Sequence, residues 1–338
     1  MTVTSNHLGT VDNQAVTQFT ITNHAGMGVD IINYGATVQS IRVPDAKGNI
    51  DDVVLGFDTL EEYVNGNAPY LGVVCGRVAN RICDGRFTLE GVDYTLAVNN
   101  GTNALHGGLK GFDKRVWSTE TTDNGVRMTL ISADGEEGYP GQLTVSILYT
   151  LSEDNTLTLD YQAVTDKPTI INLTNHSYFN LAGHDSGLVL DHEIRINASA
   201  ITPPNENLIP TGEITPVAGT PFDFMEPHKI GERIDTVGGY DHNFVLNPDA
   251  AEPSVRVFEP TSGRTMEMKT TEPGVQFYTG NFLADTQGKR GATYPKQGGF
   301  CLEAQHYPDS INHSHFPTTV LKPGETYTQR TSYQFGIA

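Results

Sequence analysis

Apolar and polar side chains alternate between residues 143 and 163, and this alternation is the strongest constraint on the fold. The pattern runs from 143 to 151, pauses at a turn of Glu153, Asp154 and Asn155, and resumes from 157 to 163. Because successive side chains of a β-strand point to opposite faces, the pattern predicts two half-buried strands joined as a hairpin. The predicted buried side chains are Leu143, Val145, Ile147, Tyr149, Leu151, Leu157, Leu159, Tyr161 and Ala163.

Other short segments also have the composition of strands, and helical patterning is scarce. The best helix candidate is Thr59–Tyr63, with Asp58 or Thr59 as its cap. Many short strands and 35 glycines predict an all-β fold, a large antiparallel β-sandwich with few short helices. The sequence contains no evident linker or repeat, so we expect a single domain over residues 1–338. The further predicted strands are Thr17–Thr22, Val126–Ser132, Val255–Glu259 and Thr265–Lys269.

The charge of the chain limits its partners. It has 40 acidic and 21 basic side chains, a formal net charge of −19. Such a surface repels a phosphate backbone or an anionic bilayer, so we expect neither nucleic acid nor a membrane as a partner. The N-terminus lacks the basic and apolar regions of a secretory signal, which favours a cytoplasmic protein. We expect its three cysteines, Cys75, Cys83 and Cys301, to be reduced.

Motifs for cofactors are missing, and one histidine pair leaves a metal alternative open. The chain has no phosphate-binding loop, no dinucleotide-binding glycine pattern and no serine-hydrolase elbow. His313 and His315 have the spacing that places two imidazoles on one face of a strand, as in a cupin-type metal site. A third ligand is not evident nearby, and such a site needs a carboxylate and another histidine close in space, so two surface histidines in a terminal loop are the favoured interpretation. We expect no metal and no cofactor.

Polar side chains cluster in two glycine-containing segments. Asn80 and Arg81 follow an apolar strand, and the simplest alternative for them is a surface ion pair. His106 precedes two glycines, whose lack of a side chain lets another molecule approach the backbone, although a plain turn explains the same residues. Each cluster is weak evidence of a site when taken alone.

Later segments add an imidazole and a carboxylate in apolar surroundings. Period-two alternation after residue 170 predicts that His176 lies on a strand beside Tyr178, where a purely structural histidine is the alternative. The segments 239–244 and 274–282 mix hydrogen-bonding and aromatic side chains, a composition suited to a hydroxyl-rich ligand. Glu303 lies in a strand of apolar or uncharged residues, and burying an unpaired carboxylate is costly unless it serves a purpose.

In this order, the clusters resemble the aldose 1-epimerase, or galactose mutarotase, family over nearly the whole chain, from about His7 to Phe335. The resemblance implies a large antiparallel β-sandwich with a sugar cleft. It also implies an enzyme that interconverts the α and β anomers of free aldohexoses such as D-galactose and D-glucose, without metal, nucleotide or redox centre, as a monomer. The matching segments are Gly76–Ile82, Leu105–Gly108, Asn175–Leu181, Leu208–Gly212, Pro221–Phe224, Tyr240–Phe244, Gly274–Leu283 and Leu302–Gln305.

The resemblance also implies a role for each site residue. His176 matches the general acid of the family and Glu303 its general base. We expect desolvation to raise the pKa of Glu303 and nearby carboxylates to keep His176 protonated. The residues that match sugar-holding positions are Asn80, Arg81, His106, Tyr178, Asp241 and Gln276.

Two alternatives to a mutarotase of free hexoses stay open. One is an epimerase acting on hexose 6-phosphates, which needs additional basic side chains for the phosphate. The other is a sugar-binding module without catalysis, which would not need both His176 and Glu303. A metal-dependent sugar isomerase of the cupin type is the third, more distant possibility.

Overall fold

The alternating segment forms a β-hairpin in the computed structural model, which describes residues 1–66, 69–248 and 252–338. Leu143 pairs with Thr165 at one end and Leu151 with Leu157 at the other. All nine side chains predicted to be buried are at most 2% exposed. Asn155 has a left-handed φ of 60°, which asparagine tolerates well, and it completes the turn. The hairpin prediction is therefore confirmed.

Strands account for most of the regular structure. The α-helices are α1 (Leu60–Gly66) and α2 (Ile234–Val237). Single turns of 3₁₀ helix lie at Cys83–Gly85, Phe112–Lys114, Glu136–Gly138, Ile230–Glu232, Lys289–Gly291 and Ser310–Asn312. The first half of the chain has strands β1 (Thr2–Val11), β2 (Gln14–Thr22), β3 (Gly28–Ile32), β4 (Thr37–Pro44), β5 (Ile50–Asp52), β6 (Val74–Cys75), β7 (Arg81–Ile82), β8 (Arg86–Leu89), β9 (Val92–Thr95), β10 (Ala104–Leu105), β11 (Ser118–Thr122), β12 (Gly125–Ser132), β13 (Leu143–Leu151), β14 (Thr156–Thr165) and β15 (Thr169–Ile170). The second half has β16 (Thr174–Asn175), β17 (Tyr178–Phe179), β18 (Glu193–Ile196), β19 (Ala198–Thr202), β20 (Thr215–Pro216), β21 (His228–Lys229), β22 (Asp241–Leu246), β23 (Val255–Phe258), β24 (Arg264–Thr270), β25 (Gly274–Tyr278), β26 (Thr286–Gln287), β27 (Thr293–Tyr294), β28 (Phe300–Gln305), β29 (Val320–Leu321) and β30 (Tyr327–Ile337).

The remaining predicted elements are present with small shifts at their ends. The four further strands correspond to β2, β12, β23 and β24. Helix α1 begins one residue after Thr59, and a reciprocal pair of hydrogen bonds fixes this start. The Thr59 N–H donates to Glu62 Oε2 (2.9 Å), and the Glu62 N–H donates to Thr59 Oγ1 (3.3 Å). This capping box satisfies two backbone donors that a helix of this length otherwise leaves open.

Three large antiparallel sheets build the architecture. Their strand orders are β1-β2-β3-β4-β5, then β11-β12-β13-β14-β30-β24-β23-β18-β21, and β17-β28-β25-β22-β19-β20. The nine-stranded sheet packs on the six-stranded sheet where the Tyr333 hydroxyl donates to the Leu302 carbonyl (3.3 Å) and its ring lies 5.2 Å from Phe179. Side chains from all three sheets form one continuous apolar cluster. The predicted all-β sandwich with few short helices is confirmed.

Strand β28 has two faces with different surroundings. Phe300, Leu302 and Ala304 belong to the apolar cluster, whereas Glu303 lines a pocket on the opposite face. This alternation places one strand between the core and the candidate site. The cysteines are all free, as predicted. Among the described residues, no helix is long and apolar enough to cross a bilayer. The single-domain prediction includes residues outside the described ranges and stays a prediction.

Candidate active site

A pocket of about 650 Å³ opens on the polar face of the six-stranded sheet. Residues from distant parts of the sequence meet in it, because β17, β28, β25 and β22 are neighbours in the sheet. Gln276 lies at its edge, in an adjoining recess that it shares with Asp241. The predicted site residues that line the main pocket are Asn80, Arg81, His106, His176, Tyr178, Asp241 and Glu303.

Strand register explains how the acidic and amide side chains come together. Glu303 of β28 lies directly opposite Gln276 of β25, and Asp241 of β22 lies opposite Tyr278. Side chains at opposite positions of an antiparallel pair share one face and lie within contact distance. Gln276 itself lies opposite Asn243, so Asp241 is its diagonal neighbour on the same face, and the long Gln276 side chain reaches it and donates to its Oδ1 at 2.6 Å.

His176 is held by the backbone of a neighbouring loop. It is not in a strand, contrary to the sequence prediction, but in the break between β16 and β17, which belong to different sheets. Its N–H donates to the Val73 carbonyl (2.8 Å) and its carbonyl accepts from the Gly72 N–H (3.0 Å). The alternation around residue 176 misses this break because the residues on both sides of it are buried whichever way their side chains point. The ring still lies beside Tyr178, at 5.0 Å between centroids.

His106 is fixed as a neutral imidazole. Its Nδ1 accepts a hydrogen bond from the Asn80 N–H (3.2 Å), so the proton of the neutral ring is on Nε2. Burial lowers the pKa of His106 well below its usual range, and the neighbouring His176 and Arg81 add to this effect. A neutral His106 can donate a hydrogen bond to a sugar oxygen from Nε2.

The glycines after His106 serve the chain itself. A Cβ on Gly107 would lie 1.8 Å from the Gly76 carbonyl oxygen, and the φ of Gly107 is +92°. The glycines were expected to let another molecule approach the backbone. At Gly107 the backbone of residues 76 and 77 occupies that space instead. This contact brings the loop that carries His106 against the segment that carries Asn80 and Arg81.

Asn80 and Arg81 are not a surface ion pair. They are 5% and 7% exposed. The Arg81 Nε donates to Asn100 Oδ1 (3.0 Å), and the Arg81 N–H donates to Asn80 Oδ1 (2.8 Å). The surface alternative is wrong, because the pocket wall encloses both side chains.

The Tyr178 hydroxyl is already engaged. It donates to the Pro69 carbonyl at 2.8 Å. Its ring forms part of the pocket wall, and its oxygen can still accept a hydrogen bond.

Glu303 is a buried carboxyl with one unsatisfied oxygen. It is 2% exposed, and its Oε2 has no hydrogen-bond partner among the described residues. Burial raises the pKa of Glu303 well above its usual range, and the negative charge of Asp241 raises it further, while Arg81 opposes both. The predicted direction agrees with the structure. A carboxyl of this kind is a strong base once it is ionised.

His176 departs from the expectation that it is kept protonated. Its Nε2 lies 3.5 Å from Glu303 Oε1, but burial lowers the pKa of His176 to about 4. Desolvation prevails because the ring is buried, and the nearest carboxyl is itself desolvated, which raises its pKa. Burial therefore favours neutral Glu303 and neutral His176 over the ion pair.

Three residues of the pocket are of types that commonly bind metal ions in proteins. His106, His176 and Glu303 offer ligand atoms that all lie within 4.8 Å of one another, and two imidazoles with a carboxylate suit several divalent metals. His313 and His315 join no such group in the part of the chain that the structure describes. The His313 Nε2 lies 3.5 Å from Asp309 Oδ2, and the His315 Nε2 donates to the Gly212 carbonyl. The cupin-type alternative at 313–315 is not supported.

Several residues of the pocket wall were not singled out from the sequence. Tyr278 and Phe282 lie in the segment noted for its aromatic composition, and the Tyr278 hydroxyl accepts a hydrogen bond from the Phe282 N–H (2.9 Å). The others come from loops in which no periodic pattern marks a pocket residue. The additional lining residues include Tyr70, Asn99, Asn100, Leu208, Tyr278 and Phe282.

The chain is similar to known proteins over most of its length. The family model for aldose 1-epimerase matches residues 17–334. A galactose mutarotase of Bos taurus is 52% identical over 314 residues, covering 92% of this chain and 91% of the relative. An aldose 1-epimerase of Escherichia coli K12 is 38% identical over 335 residues, covering 96% of both chains.

Solved structures show the same fold. A crystal structure of an aldose epimerase homologue from C. elegans superposes with a TM-score of 0.90 at 30% identity, covering 94% of this chain and 98% of that one. The galactose 1-epimerase of Lactobacillus acidophilus gives a TM-score of 0.87 at 29% identity and covers 100% of this chain and 99% of its own. With the buried carboxyl and imidazole in its pocket, the chain belongs to the aldose 1-epimerase family.

Proposed function

We propose that the protein is a mutarotase that interconverts the α and β anomers of free aldohexoses such as D-galactose and D-glucose. The observation that carries the proposal is the buried Glu303–His176 pair, 3.5 Å apart, in a pocket with room for a hexose. Family membership supports the same reaction.

The proposed reaction needs one base and one acid. Glu303 removes the proton of the C1 hydroxyl while His176 protonates the ring oxygen, and the bond between C1 and the ring oxygen breaks to give an open aldehyde. Rotation about the C1–C2 bond presents the other face of the carbonyl. The two side chains then exchange roles as the ring closes, so no proton is gained or lost overall.

The neutral pair that burial favours is one proton transfer away from the active form. Burial favours neutral Glu303 and neutral His176, whereas the reaction starts from the carboxylate and the imidazolium. Both forms hold one proton in total. Hydrogen bonds from sugar hydroxyls to the carboxylate, together with the nearby charge of Arg81, favour the charged pair in the complex.

The other site residues hold the sugar in this proposal. Arg81 and neutral His106 donate to sugar oxygens that gain negative charge as the ring opens. Asp241 accepts from ring hydroxyls, and Gln276 both donates and accepts. Asn80 positions His106 through its backbone N–H and contributes its amide to the wall.

Polarimetry of freshly dissolved α-D-galactose tests the proposal. We expect the optical rotation to relax faster with catalytic protein than in buffer, and EDTA to leave the rate unchanged. A Glu303→Gln variant should reduce kcat by about 10² to 10⁴, the range for loss of a general base. Buffer-like relaxation of both galactose and glucose would reject the mutarotase, and loss of activity with EDTA would favour a metal at His106, His176 and Glu303.

The same assay separates the alternatives. The hexose-6-phosphate alternative predicts activity on galactose 6-phosphate but not on galactose. Arg81 is the single Lys or Arg among the described lining residues, which favours an uncharged sugar. A binding module predicts galactose affinity without acceleration. The proposal includes a monomer in the cytoplasm, which light scattering and cell fractionation would test.

A further inference from the structure

We propose that Gln305 is a positioning residue that holds the amide of Gln276 in the single orientation able to bind both Asp241 and the sugar. Gln305 does not line the main pocket, and its partners, Gln276 and Asn243, line the adjoining recess. The inference rests on the proposed function, because that function assigns Gln276 and Asp241 to sugar binding. It adds a residue whose effect on the substrate passes through Gln276.

A directed chain of hydrogen bonds supports this role. The Gln305 Nε2 donates to Gln276 Oε1 (3.2 Å) and to Asn243 Oδ1 (3.2 Å), which uses both of its hydrogens. The Gln276 Nε2 donates one of its two hydrogens to Asp241 Oδ1 (2.6 Å). The Asn243 Nδ2 donates to Thr202 Oγ1 (3.2 Å), so the far end of the chain is also anchored.

The direction of the chain fixes what the sugar meets. If the Gln276 amide were reversed, its oxygen would face the Asp241 carboxyl and its NH₂ would face the Gln305 NH₂. One acceptor would then face another acceptor, and one donor would face another donor. In a buried site this arrangement is strongly unfavourable. Gln276 is therefore left with one N–H for the sugar, and Asp241 keeps its Oδ2 available as an acceptor.

Packing alone does not explain a glutamine at this position. Gln305 is 0% exposed, and its Oε1 has no hydrogen-bond partner among the described residues. A buried amide with an unsatisfied oxygen is less favourable than an apolar side chain of the same size. A purely structural position would be occupied more favourably by methionine or leucine.

The test compares Gln305→Met, Gln276→Met and the double variant. We expect Gln305→Met to raise the KM for galactose about fivefold to tenfold, the loss of about one hydrogen bond, with a much smaller change in kcat. Because Gln305 acts through Gln276, the double variant should have the KM of Gln276→Met alone.

Gln329→Met is the matched control, since Gln329 is also a buried amide beside β28 but donates to the Ala304 carbonyl and not to the site. Its KM should equal that of the native protein.

Two results would overturn the inference. One is a native KM in Gln305→Met, and the other is a double variant in which the two KM increases multiply. If Gln305→Met does not fold, Gln305→Leu replaces it, because leucine is also apolar and has no hydrogen to donate to Gln276. The same KM increase is then expected, and a native KM rejects the role.

Calorimetric binding of galactose separates this inference from the proposed function. If the native protein binds galactose without accelerating its mutarotation, the proposed function fails. The galactose Kd of the variants, compared with that of the native protein, then tests the role of Gln305. If the native protein neither binds nor converts galactose, the assignment of the sugar site is wrong and the inference falls with it.

Discussion

Glu303 and His176 respond to the same burial in opposite directions. Desolvation disfavours the charged form of each group, so it raises the pKa of the carboxyl and lowers that of the imidazole to about 4. A neutral pair with one shared proton results. The pair can become an ion pair by moving that proton between Glu303 and His176, whose atoms lie 3.5 Å apart. Such a pair suits a reaction in which each group acts once as acid and once as base.

The negative charge of Asp241 should be visible in the pH profile of the enzyme. The active carboxylate–imidazolium pair holds one proton, as the neutral pair does, so kcat/KM should fall as the pH rises through the raised pKa of Glu303 and the pair loses that proton. Asp241→Asn removes a charge that raises this pKa, so the basic limb of kcat/KM should move to lower pH. Polarimetric rates from pH 4 to pH 10, corrected for buffer catalysis, measure the shift. Glu259→Gln, a buried carboxyl bonded to the Thr261 and Ser262 N–H groups, is the control and should leave the limb in place. An unchanged limb in Asp241→Asn would contradict the prediction.

At the scale of elements, two loops lock together at the pocket. The segment before β7 and the segment after β10 touch where Gly107 meets the Gly76 carbonyl. The His106 N–H also donates to the Asn80 carbonyl (3.1 Å), so backbone contacts align the loops without any long side chain. The position of His106 in the pocket therefore depends on the absence of a side chain one residue later.

Alanine at Gly107 should disturb the site, whereas alanine at a comparable open glycine should not. Gly107→Ala combines a left-handed backbone with a Cβ that would overlap the Gly76 carbonyl, so it must push the loop away. Gly91→Ala is the matched control, because Gly91 has a φ of +81° but no atom within 4 Å of the added Cβ. We expect Gly91→Ala to cost about 1 kcal/mol of stability with an unchanged KM. Gly107→Ala should lower the free energy of unfolding by more and raise the KM for galactose. Urea unfolding and kinetics measure both quantities. Equal unfolding free energies and equal KM values in Gly107→Ala and Gly91→Ala would contradict the prediction.

At the scale of the whole molecule, burial sets the charge state of histidines far from the pocket as well. His192 is 2% exposed, and its Nε2 accepts a hydrogen bond from the Leu181 N–H (2.9 Å). Burial lowers the pKa of His192 to about 4. The folded state therefore excludes a proton that the unfolded chain binds below its ordinary pKa of about 6.5.

This difference predicts how stability depends on pH. Since the unfolded state binds the extra proton first, the contribution of His192 to stability is present above pH 6.5 and decreases as the pH falls towards 4. Relative to His192→Gln, the native protein should lose about 2 kcal/mol of unfolding free energy between pH 7 and pH 5. Urea unfolding at the two pH values measures this difference. His24→Gln is the control, because the His24 side chain is 82% exposed. Identical pH dependence in the native protein and His192→Gln would reject the prediction.

Local patterns in the sequence were sufficient for the elements whose structure depends on neighbouring residues. The alternation at 143–163 determines which side chains of the hairpin are buried, because a shift by one residue would expose all of them. The Thr59–Glu62 pair determines the start of α1 for a similarly local reason. The roles of the site residues came from the family resemblance, and they stay predictions until the variants are tested.

Only the tertiary structure decided how the site is assembled and charged. His176 lies in a break between two strands because the 72–73 backbone binds both its N–H and its carbonyl, and these partners are about a hundred residues away in the sequence. The pKa of His176 was predicted wrongly because desolvation depends on all the atoms packed around the ring. Gln305 was not singled out from the sequence, although it lies two residues after Glu303. Its partners, Gln276 and Asn243, are on other strands. Sequence patterns report contacts between residues a few positions apart, whereas the chemistry of this pocket depends on contacts across the sheet.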